Sequence, residues 1–193
     1  MRRVLEGQAV GRHLAVAPRR TVEAVLVDRD GTLVVDVPYN GDPALVEPMP
    51  GAAEALDRLR AAGIPIAVIS NQSGVARGLL ESGDVAAVNR RVDELLGPFA
   101  GMWICPHGPA DGCGCRKPRP GMVLAAAAAL GVEAGACAVI GDIGADVGAA
   151  LAAGARPLLV PTVVTRPAEV VAAPEVVADL AAAVDAILVD RAP

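Results

Sequence analysis

Aromatic residues are almost missing from this chain: one Trp, one Tyr and one Phe in 193 residues. A buried core must therefore be aliphatic, assembled from Ala, Val, Leu and Ile within a composition that is 53% hydrophobic. Long apolar runs are missing too, because Arg, Asp or Glu interrupts each one, or Gly and Pro break it, short of the roughly 18 to 20 residues that span a bilayer. The opening, MRRVLEGQAVGRHLAVAPRR, has basic residues but no uninterrupted apolar stretch and no clean cleavage site, so no secretory signal is predicted. The expectation is a soluble, cytoplasmic protein with no membrane partner. Positive charge is outweighed, 17 Lys and Arg against 22 Asp and Glu, for a net charge of −5. That argues against nucleic acid as a partner, since counterion release needs cations massed on one surface. A small anionic substrate could still use a few local cations. Cysteine, at four residues, is too sparse for a small secreted disulfide scaffold.

What is present is alternation. Short runs rich in Val and Ile alternate with Ala- and Leu-rich stretches of helical period, the βαβ pattern of an α/β fold whose parallel sheet is covered by helices. Strands are predicted at Val22–Val27, Ile64–Ile69, Gly101–Ile104, Ala136–Ile140 and Arg156–Val160, and helices at Gly51–Ala62, Asp84–Leu96, Gly121–Leu130, Asp146–Ala153 and Glu175–Val189. Left-handed caps are expected at Gly63, Gly97, Gly131 and Gly154. Residues 1–21 read as an irregular N-terminal extension, with no role for His13, and residues 22–193 as a single domain. No separate cap domain fits between the strands, so any cleft should be open. Cys137 reads as a small core thiol, Trp103 as packing with a wall for a sugar face as the alternative, and Ala125–Ala129 as a helix packed closely on the sheet.

Open parallel sheets place ligands at the carboxyl ends of their strands, and that is where the polar clusters fall. In VLVDRDGTLVVD the alternation of an extended segment points Asp28 and Asp30 the same way, letting one carboxylate attack while the other manages protons; the pair also suits a turn before Gly31. In AVISNQSGVARG the Ser70 hydroxyl and turn N–H groups could hold a phosphoryl oxygen, or simply make a turn. In CGCRKPRPGM, Arg116 and Lys117 are either a solvated basic turn or the cations that steady a transferring phosphate. In CAVIGDIGADVGAA, Asp142 with Asp28 offers Mg2+ two carboxylate oxygens, while Asp146 is ambiguous, reading as a helix N-terminal carboxylate ahead of a direct metal ligand.

Cys105, His107, Cys113 and Cys115 place three thiolates and an imidazole within eleven residues. Zinc takes such a tetrahedral set, and four protein ligands leave no open position, so the site should be structural. Few apolar residues lie between Ile104 and Met122, so metal binding would supply this loop's folding energy. The loop runs straight into Arg116 and Lys117 and should fix the backbone from which both project.

Together these clusters resemble, over about residues 22 to 160, the four ordered motifs of the haloacid dehalogenase-like phosphohydrolases. DRDGTLVVD, Tyr39, NQSGVARG, the Cys-Pro-His opening and CRKPRPGM look like the D-glycero-D-manno-heptose 1,7-bisphosphate phosphatases. The histidinol-phosphate phosphatases share the metal cluster and the CRKP run but differ after Asn71-Gln72 and around Tyr39. The resemblance implies a three-layer, Rossmann-like parallel sheet with a minimal cap and a structural zinc loop at 105–115. It implies that Asp28 forms an aspartyl-phosphate and that Asp30 protonates the leaving sugar oxygen and then activates water. Ser70 stands where Thr is usual and Lys117, with Arg116, would hold phosphate and sugar. Asp36, Tyr39, Asn71, Gln72 and Ser73 would line the substrate pocket. Mg2+ would sit on Asp28, the Asp30 carbonyl and Asp142, and zinc on Cys105, His107, Cys113 and Cys115. Ile143 departs from the pattern, which has Lys or another polar residue there. The expected function is thus removal of the C7 phosphate of a heptose 1,7-bisphosphate by a monomeric enzyme. Histidinol phosphate or another small metabolite is the alternative within the same chemistry, and a non-catalytic sugar-phosphate-binding module the alternative outside it. A polynucleotide 3′-phosphatase is disfavoured by the acidic balance and the shortage of aromatics.

Overall fold

The computed structural model describes residues 21–190. Five parallel strands, β1 (Ala24–Val27), β2 (Ile66–Asn71), β3 (Gly101–Cys105), β4 (Cys137–Gly141) and β5 (Arg156–Leu159), form one sheet in the order β3-β2-β1-β4-β5. The chain steps outward from β1 to β3, then returns to the other side of β1 with β4. The carboxyl ends of β1 and β4 therefore flank the topological switch point, where the connecting loops diverge and leave a crevice.

Burial on both faces explains the unbroken apolar character of the strands. Val25, Val27, Ile66, Val68, Ala138 and Ile140 point to one core with α1 (Ala52–Ala61), α2 (Ser82–Leu96) and α6 (Leu180–Val189). The alternate residues Ala24, Leu26, Ala67, Ile69, Cys137 and Val139 point to a second core with α3 (Gly121–Leu130) and α4 (Gly144–Ala153). Each outer helix presents a stripe at helical spacing, such as Ala55, Leu56 and Leu59 on α1 or Leu180, Ala183, Val184 and Ile187 on α6. Two helical layers thus enclose the sheet, as expected. Trp103 is partly buried against the second core, and Cys137 is a buried free thiol pushed up to about 11 by its burial. Among the described residues no helix is long and apolar enough to cross a membrane.

Every predicted strand is present with ends shifted by one or two residues, and α3 has its predicted bounds. The differences lie in the last third and at one cap. Helix formation does not begin at Glu175: Leu159 N–H donates to the Glu175 carbonyl at 3.0 Å and Val177 N–H to the Leu159 carbonyl at 2.9 Å, so this segment covers the open edge of β5. Arg156 holds it there, with Nη2 2.7 Å from Glu175 Oε1 and Nη1 2.8 Å from Asp190 Oδ2. The helix starts at Leu180 because the Asp179 side chain accepts from Ala182 N–H at 2.7 Å, an N-cap. A short helix not anticipated from sequence, α5 (Pro167–Ala172), precedes this segment, opened by proline at its first position. Gly63, Gly131 and Gly154 adopt positive φ as expected, but Gly97 is extended at φ −74° and ψ −174°, because Pro98 disfavours helical conformations in the residue before it. The reading of residues 1–21, with His13, lies almost wholly outside the described residues.

Helix α3 approaches the sheet through small side chains, with Ala126 fully buried and its neighbour Ala125 exposed. Ala126→Leu is expected to destabilise the protein by about 1 to 3 kcal/mol through overpacking. Ala125→Leu should change stability by less than about 0.5 kcal/mol, and urea midpoints of the two variants check the difference.

Candidate active site

Asp28 directly follows β1, and its N–H still donates to the Ile140 carbonyl at 2.9 Å, so the sheet ladder holds its backbone. The chain then turns sharply: Leu33 N–H bonds the Arg29 carbonyl at 2.9 Å, and Gly31 N–H the Val34 carbonyl at 2.8 Å. Gly31 has φ +77° and lies so close to the Asp142 carboxylate that a Cβ there would collide with it. Glycine is thus what allows the ends of β1 and β4 to bring their carboxylates together.

Lys117 arrives from the loop before α3 and is buried with its ammonium 2.8 Å from Asp28 Oδ1 and 2.6 Å from Asp146 Oδ1, while Nζ also donates to the Ile69 carbonyl at 2.9 Å. Asn71 pins the backbone of the same residue from both sides, accepting from Lys117 N–H at 3.0 Å and donating to its carbonyl at 3.1 Å. Burial works against the charge on Lys117, but Asp146 and Asp28 hold it above the usual lysine range. Burial pushes Asp28 well above the usual carboxylate range, Asp146 and Asp30 add to this, and Lys117 opposes it. Asp146 also acts as the expected helix N-terminal carboxylate, its Oδ2 accepting from Ile143 N–H at 3.2 Å.

Asp30 has different partners. Arg29 is almost fully buried and turns its guanidinium onto Asp30, with Nε at 3.1 Å from Oδ1 and Nη2 at 3.0 Å from Oδ2, while Nη1 donates to Asn89 Oδ1 at 2.7 Å. Gln72 Nε2 donates at 2.8 Å both to Asp30 Oδ2 and to Ser70 Oγ. Because Ser70 Oγ accepts that bond, its own proton is left to donate into the cleft. Asp142 is held by a turn after β5: Thr162 Oγ1 donates to its Oδ2 at 3.3 Å and Thr165 Oγ1 to its carbonyl at 2.6 Å.

These groups meet in a cleft of about 380 Å³ lined by Asp28, Asp30, Asp36, Tyr39, Ser70, Asn71, Gln72, Ser73, Lys117 and Asp142. Every residue expected in the catalytic and substrate sets is therefore brought together except Arg116, which lies outside the lining and donates from Nη1 to the His107 carbonyl at 3.1 Å. Sequence reasoning missed Arg29, Asn89, Thr162 and Thr165. Only Arg29 carried a signal, sitting between the two aspartates.

The chemistry of the donor set fits a divalent cation. Oxygens of Asp28, Asp142 and Asp146 lie within 4.8 Å of one another, all three residues buried. Lys117 and Arg29 are the cations bonded to the carboxylates of Asp28, Asp30 and Asp146, while among the described residues the side chain bonded to Asp142 is the Thr162 hydroxyl, with no cation paired to it. A negative surplus in a buried crevice calls for a hard cation with oxygen ligands. Burial and the Asp146 charge push Asp142 up to about 6.

The second cluster fits a softer metal. Cys105 Sγ lies 3.7 Å from Cys113 Sγ, 3.2 Å from Cys115 Sγ and 3.6 Å from His107 Nδ1, which is 3.3 Å from Cys115 Sγ. These approach the edges of about 3.5 to 3.8 Å that a tetrahedron with zinc–sulfur bonds of about 2.3 Å would have, and all four cysteines are free. Burial, with the Cys115 hydrogen bond, pushes the Cys105 thiol up to about 12, so a thiolate there needs a cation.

The chain is similar to known phosphatases. The haloacid dehalogenase-like hydrolase family matches residues 39–154. A D-glycero-beta-D-manno-heptose-1,7-bisphosphate 7-phosphatase of Rhodopseudomonas palustris is 42% identical over 151 residues, covering 72% of this chain and 83% of that protein. Its counterpart in Pseudomonas putida is 37% identical over 150 residues, covering 73% and 83%. The crystal structure of D,D-heptose 1,7-bisphosphate phosphatase from B. bronchiseptica, complexed with magnesium and phosphate, superimposes with a TM-score of 0.77 at 31% identity, covering 88% of this chain and 99% of that one.

Two outcomes are expected. Added Mg2+ should raise the melting temperature at pH 8 and do so far less at pH 5, because Asp142 ionises only as pH rises through about 6. Without the ion the sign reverses: a folded pKa above the unfolded one gives stability at low pH that is lost as pH rises through about 6. Equal shifts with Mg2+ at both pH values would contradict the first. Cys115→Ser should lower kcat by displacing Lys117 two positions on, read from turnover and zinc content together; full kcat in a zinc-free variant refutes it.

Proposed function

The chain belongs to the haloacid dehalogenase-like hydrolases and is a phosphatase, and on that premise we propose that it is a magnesium-dependent phosphomonoesterase that removes the C7 phosphate of D-glycero-D-manno-heptose 1,7-bisphosphate through an aspartyl-phosphate. The observation that carries this reading is the separate anchoring of two carboxylates in one cleft: Asp28 on the Lys117 ammonium, Asp30 on Arg29 and Gln72. Separate partners allow separate roles, which acid–base and nucleophilic work at one phosphorus require.

A carboxylate oxygen of Asp28 attacks the phosphorus of the C7 phosphoryl group, and an acyl-phosphate bond forms as the bond to the sugar oxygen breaks. Asp30 gives that oxygen its proton. Asp30 then takes a proton from water as the water oxygen attacks the same phosphorus, the acyl-phosphate bond breaks, and inorganic phosphate leaves with Asp28 restored. Lys117 and the Ser70 hydroxyl hold phosphoryl oxygens through both halves. Mg2+, held by Asp28, Asp142 and the Asp30 carbonyl, supplies positive charge that offsets the repulsion between carboxylate and phosphate. Asp36, Tyr39, Asn71, Gln72 and Ser73 receive the sugar, joined by Arg116 through guanidinium donors that its bond to His107 leaves over. Cys105, His107, Cys113 and Cys115 would hold zinc, which would keep the loop into Lys117 in place. The phosphatase is a single domain over residues 22–193 with a minimal cap, a monomer acting in the cytoplasm on a small soluble substrate. Support for the heptose comes from the 34% to 42% identity to phosphatases named for it.

Phosphate release with Mg2+ from both anomers of heptose 1,7-bisphosphate, from fructose 1,6-bisphosphate and from histidinol phosphate tests this, beside Asp28→Asn. A marked preference for one heptose anomer, abolished in the variant, is expected. Weak activity spread over all of them would keep the mechanism and remove the heptose, and no activity would favour a sugar-phosphate-binding module.

A further inference from the structure

A bisphosphate carries a second anion, and the cations deep in the cleft are already committed. Lys117 pairs with Asp28 and Asp146, and Arg29 with Asp30 and Asn89. The two walls of the cleft offer a distal phosphate different things. One carries Ile143 and Val164, both apolar. The other carries Tyr39, which is 44% exposed, and the guanidinium carbon of Arg77 lies 5.6 Å from the centre of its ring.

Arg77 lies just outside the cleft lining, its N–H bonded to the carbonyl of the lining residue Ser73 at 3.2 Å and its guanidinium over the ring of the lining residue Tyr39. Among the described residues its guanidinium has no carboxylate partner. Tyr39 holds a backbone φ of 54°, a left-handed conformation that costs a non-glycine residue on the order of 1 kcal/mol or more. Its surroundings therefore impose this backbone conformation. A Cβ on Gly74 would come within 3.0 Å of Tyr39 Cδ1 and 2.8 Å of Leu80 Cδ1, so glycine is what lets the ring lie against the turn that carries Arg77. A guanidinium over an aromatic ring is steadied through the ring's negative face, while its N–H donors remain available to an anion.

We propose that Arg77, braced on Tyr39, is the rim subsite for the distal phosphate of the substrate and sets the preference for a sugar bisphosphate over the corresponding monophosphate. The inference rests on the phosphatase reading above and names the residue that reads the second anion. It also accounts for Ile143: with the cation on the Tyr39 wall, none is required beside Asp142.

The test compares kcat/KM for heptose 1,7-bisphosphate with that for heptose 7-phosphate, which lacks the distal group. Wild type should prefer the bisphosphate, and Arg77→Ala should reduce that ratio about tenfold or more, the loss of one charged hydrogen-bonding partner, through KM rather than kcat. Arg77→Lys, which keeps the charge without the planar fork, should fall between them. Because Arg77 is exposed, the variants should fold, and their melting temperatures check that. A ratio unchanged in Arg77→Ala overturns the subsite and leaves the functional reading standing. A wild type that does not turn over the bisphosphate overturns both.

Discussion

The buried ammonium of Lys117 is the interaction on which the rest of this structure depends. It lies between Asp28 from the end of β1 and Asp146 from α4, and reaches the Ile69 carbonyl in β2. One positive charge thereby ties the central strand, its neighbour and a helix of the layer formed by α3 and α4 at the switch point. Burying an ion costs several kcal/mol of lost hydration, which only close, well-oriented partners offset. The backbone of Lys117 must accordingly be placed before its side chain can be useful. Asn71 does this from the sheet side, and the Cys/His loop delivers the chain from the other. Fold and site thus share the same contacts here.

That pairing leaves charge over. With Lys117 shared by two carboxylates and Arg29 bound to Asp30, Asp142 has a hydroxyl and, among the described residues, no paired cation, and so sits among like charges in a buried place. The two candidate metal centres differ in the way coordination chemistry requires: oxygen donors in the crevice suit a hard ion with open positions, and three sulfurs with an imidazole suit a closed, structural tetrahedron. Their locations match those characters. The oxygen set opens on the cleft, whereas the sulfur set lies behind it, along the loop that brings Lys117 in.

Most of this could be read in the sequence, because a parallel sheet buried on both faces writes its strands as continuous apolar runs and leaves polar residues only at their ends. Asp28, Asp30, Ser70 and Asp142 stand at such ends, Lys117 follows in the loop before α3, and the cleft gathers all of them. What was not legible depends on contacts distant in the chain. Arg29 looks like part of a charged turn, and its burial follows from Asn89, sixty positions on. Thr162 and Thr165 follow β5 with no motif around them, and reach Asp142 only because the sheet order sets β5 beside β4. The segment at Glu175 has the composition of a helix start, yet the open edge of β5 and the Arg156 guanidinium claim it first.

The cleft also shows how chemistry and selectivity can be separated on one scaffold. Its floor is made of side chains that are nearly all buried, held by ladder hydrogen bonds, ion pairs and the Gly31 turn, and a change there disturbs several strands together. Its rim, from Asp36 to Asn40 and around Val164, is largely exposed and rests on short turns whose packing hardly touches the core. Selection can therefore alter the rim at little cost in stability while the floor stays constrained. Ile143 sits at that boundary: next to Asp142 in sequence, it presents an apolar side chain to the cleft. With Val164 it makes one dry wall opposite the polar Tyr39 side. A cleft with unlike walls orients an elongated polar ligand, because swinging its distal charged end across to the other wall would strand it against aliphatic carbon.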